Sequence, residues 1–174
     1  MFSDVLTFLR FASSGFIVYL GLIPGDTFPI FFYTVLFAWE TDILDGYIAR
    51  VTGKFGKLGK YDFLFDMVFV WSTLLYFYLS GRIALTLFVL YNFVSFSFIA
   101  LFPSKTTTMT FAAPVVFAPF VISFFEYKSL STASWIWIVI NFVLFHKRFF
   151  EVIASYIKGL KREEEANHFV NKKH

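Results

Sequence analysis

The feature that most constrains the fold of this chain is the recurrence of long apolar runs separated by short charged stretches. Residues 83–104, for example, contain no charged side chain, and a membrane-spanning helix needs about 20 consecutive apolar residues. Only 16% of the residues are charged, whereas about a quarter are charged in soluble domains. The pattern therefore favours an integral membrane protein. The absence of cysteine excludes disulfides and thiol chemistry.

Charged and turn-like stretches divide the chain into six apolar segments of about membrane length. We expect transmembrane helices over residues 8–23, 28–50, 59–80, 83–102 and 106–125, and a sixth that runs from about 132 past 146 and continues as a polar helix to about 161. Pro114 and Pro119 lie inside the fifth segment, where a membrane helix tolerates them. The predicted fold class is an all-α integral membrane bundle of six transmembrane helices. Residues 1–160 are expected to form one transmembrane domain, and residues 161–174 a polar C-terminal tail.

Basic residues are distributed unevenly between the two sides of such a bundle. One side carries Arg50, Lys54, Lys57, Lys60, Lys147, Arg148, Lys158, Lys161 and Arg162. The loops of the other side carry Arg82 and Lys128, together with acidic Asp26 and Glu126. Because short cytoplasmic loops are rich in Lys and Arg, we expect both termini to be cytoplasmic.

Four aspartates lie in one short stretch on the predicted cytoplasmic side. Asp42 and Asp45 are three residues apart, and Asp62 and Asp66 are four apart at the start of the next segment. Residues at these spacings share a helix face, so the two pairs can converge on one site. Each aspartate at mid-bilayer costs roughly 2.5–3.5 kcal/mol, and divalent cations would balance the charge. Oxygen ligands without His or Cys favour Mg²⁺, Mn²⁺ or Ca²⁺ over Zn²⁺.

Small residues and one arginine stand between the two aspartate pairs. Gly46 and Ala49 are small, Gly59 permits close backbone approach, and Arg50 offers a planar donor suited to phosphate oxygens. Each feature alone has a simpler explanation, because small residues on membrane helices usually pack against neighbouring helices. Together they predict a site in which metal-bound carboxylates act on a phosphate-containing ligand.

The spacing of these residues resembles the motif of the CDP-alcohol phosphotransferases, D-x2-D-G-x2-A-R-x8-G-x3-D-x3-D. The matching positions are Asp42, Asp45, Gly46, Ala49, Arg50, Gly59, Asp62 and Asp66. One gap differs, since two residues rather than three separate Gly59 from Asp62. On a helix, this rotates the glycine by about 100° relative to the aspartates. The segment LTFLR, residues 6–10, is also similar to the first helix of many members.

The resemblance implies a membrane enzyme of phospholipid synthesis. It would transfer a phosphatidyl group, usually from CDP-diacylglycerol, to an alcohol and release CMP. Asp42, Asp45 and Asp62 would hold two Mg²⁺ or Mn²⁺ ions and the pyrophosphate of the donor. Asp66 would complete the metal site and take the proton from the acceptor hydroxyl. The residues implied to contact the CMP portion are Gly46, Ala49, Arg50 and Gly59. Members are typically homodimers, so we expect a homodimer.

Three basic residues outside the motif are candidates for binding the acceptor. Lys105, Lys147 and Arg148 lie at predicted cytoplasmic helix ends. We expect them to contact either a phosphate on the acceptor or the lipid headgroups. A lysine at such a position can also fix the orientation of the helix in the membrane. The first alternative favours glycerol 3-phosphate or inositol phosphate as the acceptor.

Glu40 lies about 200° around the helix from Asp42, so we expect it to have a partner on another helix or subunit. Asn92 and Asn141 lie within the fourth and sixth segments, where we expect each to bond to a neighbouring helix.

Two other functions are compatible with the sequence. The shortened gap before Asp62 would suit a catalytically weak relative that binds nucleotide or lipid. Alternatively, the aspartates would form the transport site of a cation carrier or channel. The fourth to sixth segments, however, contain almost no charged positions to extend a pore.

Overall fold

The computed structural model describes the backbone of residues 2–52 and 61–171, and within these ranges the side chains except at 2, 3, 49, 50, 52, 62, 147, 148 and 160–171. These ranges form six α-helices: α1 Phe2–Leu22, α2 Phe28–Thr52, α3 Asp62–Leu79, α4 Leu85–Leu101, α5 Lys105–Glu126 and α6 Lys128–Asn171. The predicted all-helical class is confirmed. The largest difference is α6, which begins four residues earlier than expected and continues to Asn171.

Helix α1 packs along both α2 and α3. It runs antiparallel to α2, to which residues 23–27 connect it, and parallel to α3. A Cβ on Gly21 would lie 3.0 Å from the Leu79 Cβ and 3.3 Å from the Tyr76 Cα, so glycine permits the close approach of α1 to α3. In the core between α2 and α3, the ring of Phe31 stacks on that of Tyr76 with 3.8 Å between centroids. These contacts hold the three helices in a fixed register.

The turns that join α1 to α2, α3 to α4 and α5 to α6 meet at one end of the bundle, which we call the far end. Arg82 donates hydrogen bonds to Glu126 (2.7 Å) and to the Tyr127 hydroxyl (3.0 Å), and it lies 3.7 Å from Asp26. Tyr127 donates to Asp26 over 2.7 Å, and the guanidinium carbon lies 4.4 Å from the centre of the Phe28 ring. Burial alone would lower the pKa of Arg82, but its bonds to Glu126 and Tyr127 raise that pKa overall, so the guanidinium stays charged.

Helix α6 contacts α5 both near its start, where the Ser134 hydroxyl lies 3.2 Å from that of Ser123, and beyond its middle, and it contacts α2 between these places. Phe145 interrupts the helical backbone, with φ −126° and ψ 22°, and its ring packs 5.8 Å from the ring of Tyr47 on α2. Beyond this kink, the Tyr156 hydroxyl lies 2.8 Å from the hydroxyl of Thr110 on α5. The kink therefore lies against the part of α2 that carries the predicted motif.

Among the described residues, three helical stretches are long and apolar enough to cross a membrane: Asp4–Leu22, Lys105–Glu126 and Lys128–His146. The stretches Phe63–Leu79 and Leu85–Leu101 are apolar but shorter. Large apolar side chains such as Phe93 and Phe125 are exposed, and no residue of α4 is buried. A helix that is apolar on every side is typical of a membrane span. These features indicate an integral membrane protein, whereas six spans and the cytoplasmic placement of the termini stay predictions.

Candidate active site

Two pairs of polar residues meet between α1 and α2, at the end of the bundle opposite the far end. Thr7 and Arg10 are three residues apart on α1, as are Asp42 and Asp45 on α2, so each pair shares a helix face. Because the helices are antiparallel, the two pairs match in reverse order. Arg10 Nη2 lies 2.6 Å from Asp42 Oδ1, and Thr7 Oγ1 donates to Asp45 Oδ2 over 3.2 Å.

Arg10 also joins α3 to this site. Its Nη1 donates to Asp66 Oδ1 over 2.6 Å, so one guanidinium bridges an aspartate from each predicted pair. The side chain of Arg10 is only 2% exposed, whereas those of Asp42 and Asp66 are 53% and 42% exposed. The arginine is thus enclosed by the helices, and the two carboxylates open outward. We call Thr7, Arg10, Asp42, Asp45 and Asp66 the acidic site.

The charges of the acidic site explain why a buried arginine is stable there. Removing one partner of a buried ion pair costs about 3–5 kcal/mol, because the other charge is left uncompensated. Arg10 avoids this cost by facing Asp42 and Asp66 together. Asp45 is buried, at 8% exposure, and is bonded to Thr7. Among the described side chains, the site brings together three carboxylates and one guanidinium, and carboxylate oxygens are ligands for hard cations.

The other motif residues whose backbone is described lie on α2 and α3. Gly46 comes directly after Asp45 in α2 and is half-buried. Asp62 is the first residue of α3, one helical turn before Asp66. The backbone of α2 continues past Ala49 and Arg50 to Thr52. Outside the described residues lie Gly59 and the side chains of Ala49, Arg50 and Asp62.

The three basic residues predicted to bind the acceptor lie at two different places, the start of α5 and the part of α6 just after its kink. Lys105 is exposed at the start of α5, directly after the N-cap Ser104. A lysine in the first turn opposes the helix dipole, so helix stability does not explain its presence. Lys147 and Arg148 follow closely after the kink at Phe145, and their side chains lie outside the described residues. Their predicted contacts with the acceptor stay predictions.

The carboxylates of the acidic site are of the chemical type that binds hard divalent cations. Asp42 and Asp66 already direct carboxylate oxygens at one shared positive group, the guanidinium of Arg10. Carboxylate oxygens are the ligands that Mg²⁺ and Mn²⁺ prefer. Within the part of the chain that the structure describes, no three His, Cys, Asp or Glu side chains are close enough to hold one ion together. The complete predicted ligand set, which includes Asp62, stays a prediction.

For two residues of the acidic site, no role was predicted from the sequence. Thr7 and Arg10 both belong to the LTFLR segment, and the available signal was a charged residue inside an otherwise apolar run. Sequence spacing alone could not show which residues Thr7 and Arg10 contact, because the rotation of α1 about its axis decides which side chains face α2. The predicted partner of Glu40 is confirmed: it accepts hydrogen bonds from Trp137 and Asn141 on α6. The second of these bonds confirms the expectation for Asn141. The expectation for Asn92 was wrong, because its side chain donates to the Phe88 carbonyl of its own helix, α4.

Comparison with known proteins bears on the whole helical bundle. The chain matches the family model of the CDP-alcohol phosphatidyltransferases over residues 1–157, from the first helix into the second half of α6. The matched range contains the four aspartates and every other motif residue. No curated protein and no solved structure matches the chain. The chain therefore belongs to the CDP-alcohol phosphatidyltransferase family.

Proposed function

We propose that this protein transfers a phosphatidyl, or related phospho-alcohol, group from a CDP-linked lipid donor to a small alcohol and releases CMP. The observation that carries the proposal is the convergence of Asp42, Asp45 and Asp66 on one site, through Arg10 and Thr7. These aspartates come from two successive helices, α2 and α3. Their meeting is what a shared role in phosphate chemistry requires.

Family membership supplies the general terms of the reaction. It implies transferase activity in phospholipid synthesis, with a CDP-alcohol as donor and an alcohol as acceptor. Enzymes of the family generally depend on a divalent metal. The donor CDP-diacylglycerol, the product CMP and the choice between Mg²⁺ and Mn²⁺ belong to the proposal for this chain.

In the proposed reaction, the acceptor hydroxyl oxygen attacks the phosphorus atom next to the lipid. The bond between that phosphorus and the bridging oxygen of the pyrophosphate breaks, and CMP leaves with the electron pair. Asp66 takes the hydroxyl proton, a role that its partial exposure supports because an acceptor can reach it. Thr7 fixes the orientation of Asp45 through its hydrogen bond.

The metal would be held by Asp42, Asp45, Asp62 and Asp66. Two bound divalent cations would neutralise phosphate charge and stabilise the attacking and leaving oxygens. Gly46 and Ala49 would leave room for the CMP portion, and Arg50 would donate to its phosphate. We also propose that Gly59 contacts the CMP portion.

The acceptor that we propose is glycerol 3-phosphate or an inositol phosphate. Exposed Lys105, at the start of α5, supports an acceptor that carries a phosphate, because a lysine there has no role in stabilising its helix. We propose Lys147 and Arg148, which follow the α6 kink, as further contacts.

We also propose the membrane arrangement that the sequence predicts. Six spans would place both termini and the acidic site on the cytoplasmic side, where CDP and a soluble acceptor arrive, while the acyl chains of the donor stay in lipid. The positive-inside distribution of Lys and Arg supports this orientation. Residues 1–160 would form the catalytic domain and residues 161–174 a polar tail, and the protein would be a homodimer.

The decisive experiment measures CMP release from CDP-diacylglycerol by the purified protein in detergent, with Mg²⁺ or Mn²⁺. The acceptor panel is glycerol 3-phosphate, inositol 1-phosphate, inositol, serine and glycerol. We expect CMP release with a phosphorylated acceptor, and a loss of about 10²-fold or more in Asp66→Asn, because the general base is removed. Asp26→Asn, at the far end, is the matched control and should retain activity.

A second outcome would support a different function. The two-residue gap between Gly59 and Asp62 favours a catalytically weak relative that binds nucleotide or lipid. If the protein binds Mn²⁺ and CDP-diacylglycerol but releases no CMP with any acceptor of the panel, that function replaces the proposed one.

A further inference from the structure

Arg10 lies where a cation is expected between the two aspartate pairs. Its two terminal nitrogens each lie 2.6 Å from a carboxylate oxygen, one on Asp42 and one on Asp66. At 2% exposure, it is among the largest fully buried side chains of the described chain. The helices therefore enclose a permanent positive charge at the centre of a site predicted to bind metal.

A divalent metal at this site would bind the same two carboxylates as the guanidinium. Mg²⁺ binds carboxylate oxygens at about 2.0–2.1 Å, and an oxygen already bonded to a guanidinium N–H directs electron density to that donor. Two cations on the same carboxylates also repel each other, more strongly away from bulk water. Asp42 Oδ1 and Asp66 Oδ1 are the atoms in question.

We propose that Arg10 is a resident cation that competes with the divalent metal for Asp42 and Asp66. In the metal-free protein it holds these carboxylates together and reduces their repulsion, and it releases them as the metal binds. Arg10 thereby sets the affinity for the metal and keeps the site assembled between metal-binding events. The inference rests on the proposed function only through the metal site.

The first test measures Mn²⁺ binding to the purified full-length protein, using the electron paramagnetic resonance signal of free Mn²⁺. We expect Arg10→Gln to bind Mn²⁺ about tenfold more tightly than the wild type, a size typical of coupling between two binding events. With a chelator present, Arg10→Gln should unfold at a lower temperature than the wild type. Arg82→Gln is the matched control, because it removes a paired arginine at the far end. It should lower stability and leave Mn²⁺ affinity unchanged.

The second test separates direct competition from a general effect of charge. Arg10→Ala is purified with Mn²⁺, stripped of metal, and titrated with guanidinium chloride at low millimolar concentrations, with NaCl at equal ionic strength as the control. If guanidinium replaces the missing side chain, it should raise the unfolding temperature of the metal-free variant. The apparent dissociation constant for Mn²⁺ should rise linearly with guanidinium concentration, as for mutually exclusive ligands.

Each alternative result decides against the proposal. Equal or weaker Mn²⁺ binding by Arg10→Gln would overturn it, as would an apparent dissociation constant that reaches a plateau or ignores guanidinium. Absence of Mn²⁺ binding to wild type and variants alike would overturn both the inference and the metal site. Competition observed without CMP release would support the inference and count against the proposed transferase activity alone.

Discussion

Glu40 on α2 and Trp137 on α6 are joined by a hydrogen bond of 3.0 Å, from the indole nitrogen to Glu40 Oε2. Asn141 Nδ2 donates to the same oxygen over 3.2 Å. The rings of Trp39 and Trp137 lie beside this contact, with 5.6 Å between centroids. Glu40 is two residues before Asp42, so the contact holds α6 against the part of α2 that enters the acidic site.

Replacing Glu40 with alanine should destabilise the protein by about 1–3 kcal/mol, because Trp137 and Asn141 would lose the acceptor for their partly buried donors. Glu40→Gln keeps an acceptor oxygen and should stay within about 1 kcal/mol of the wild type. Thermal unfolding of the purified variants in detergent measures the difference. Equal stability of the alanine and glutamine variants would contradict the structural role of this contact.

Because we propose Asp45 as a metal ligand, Thr7→Val should weaken Mn²⁺ binding and CMP release by about 10- to 100-fold, as the loss of a hydrogen bond to a metal ligand typically does. Valine keeps the shape of threonine but cannot donate to Asp45. Thr7→Ser restores the donor and is expected to recover most of the lost affinity. The same Mn²⁺ titration measures both variants, and a valine variant with wild-type affinity would show that Asp45 does not need this bond.

Gly159→Val should separate the C-terminal part of α6 from α5. A Cβ on Gly159 would lie 2.2 Å from Thr106 Oγ1, so a larger residue cannot fit without movement. We expect a loss of about 1–3 kcal/mol, as for overpacking, and faster proteolytic cleavage near the C terminus. Thr106→Ala should partly rescue the variant. Gly15→Ala is the matched control, since nothing lies within 4 Å of its Cβ position, and it should be neutral or slightly stabilising.

Alkaline pH should weaken the far end through Tyr127. Burial, and then the hydrogen bond to Asp26, raise the pKa of Tyr127 above its usual value of 10.0. The folded state therefore keeps this proton to higher pH than the unfolded state does. Its contribution to stability is complete below pH 10 and is lost as pH rises through the raised pKa. Unfolding temperatures measured from about pH 9 to 11 should fall less steeply in Tyr127→Phe than in the wild type. Parallel curves would contradict the prediction.

Much of the helical fold could be predicted because it depends on local sequence. The apolar runs bounded by charges predicted six helices close to their observed positions. Helix α5 contains Pro114 and Pro119, as expected. The kink at Phe145 could not be predicted, because neither proline nor glycine occupies that position. The ring of Phe145 packs against Tyr47, a residue far away in the chain, and contacts of this kind cannot be read from local sequence.

The acidic site was predictable in part for the same reason. The spacings of the aspartates define helix faces, and the structure brings Asp42 and Asp66 onto one group. Spacing did not distinguish buried Asp45 from exposed Asp42, although both lie on one face of α2. That difference arises from the position of α1, whose Thr7 covers one aspartate and whose Arg10 reaches the other.

The far end joins the three helix pairs of the bundle through one side chain. Arg82 links the α3–α4 turn to the α1–α2 turn through Asp26, and to the α5–α6 turn through Glu126 and Tyr127. A change at Arg82 therefore cannot stay local to one turn. We expect Arg82→Gln to loosen all three turns together, so that the far end loses its structure as a unit.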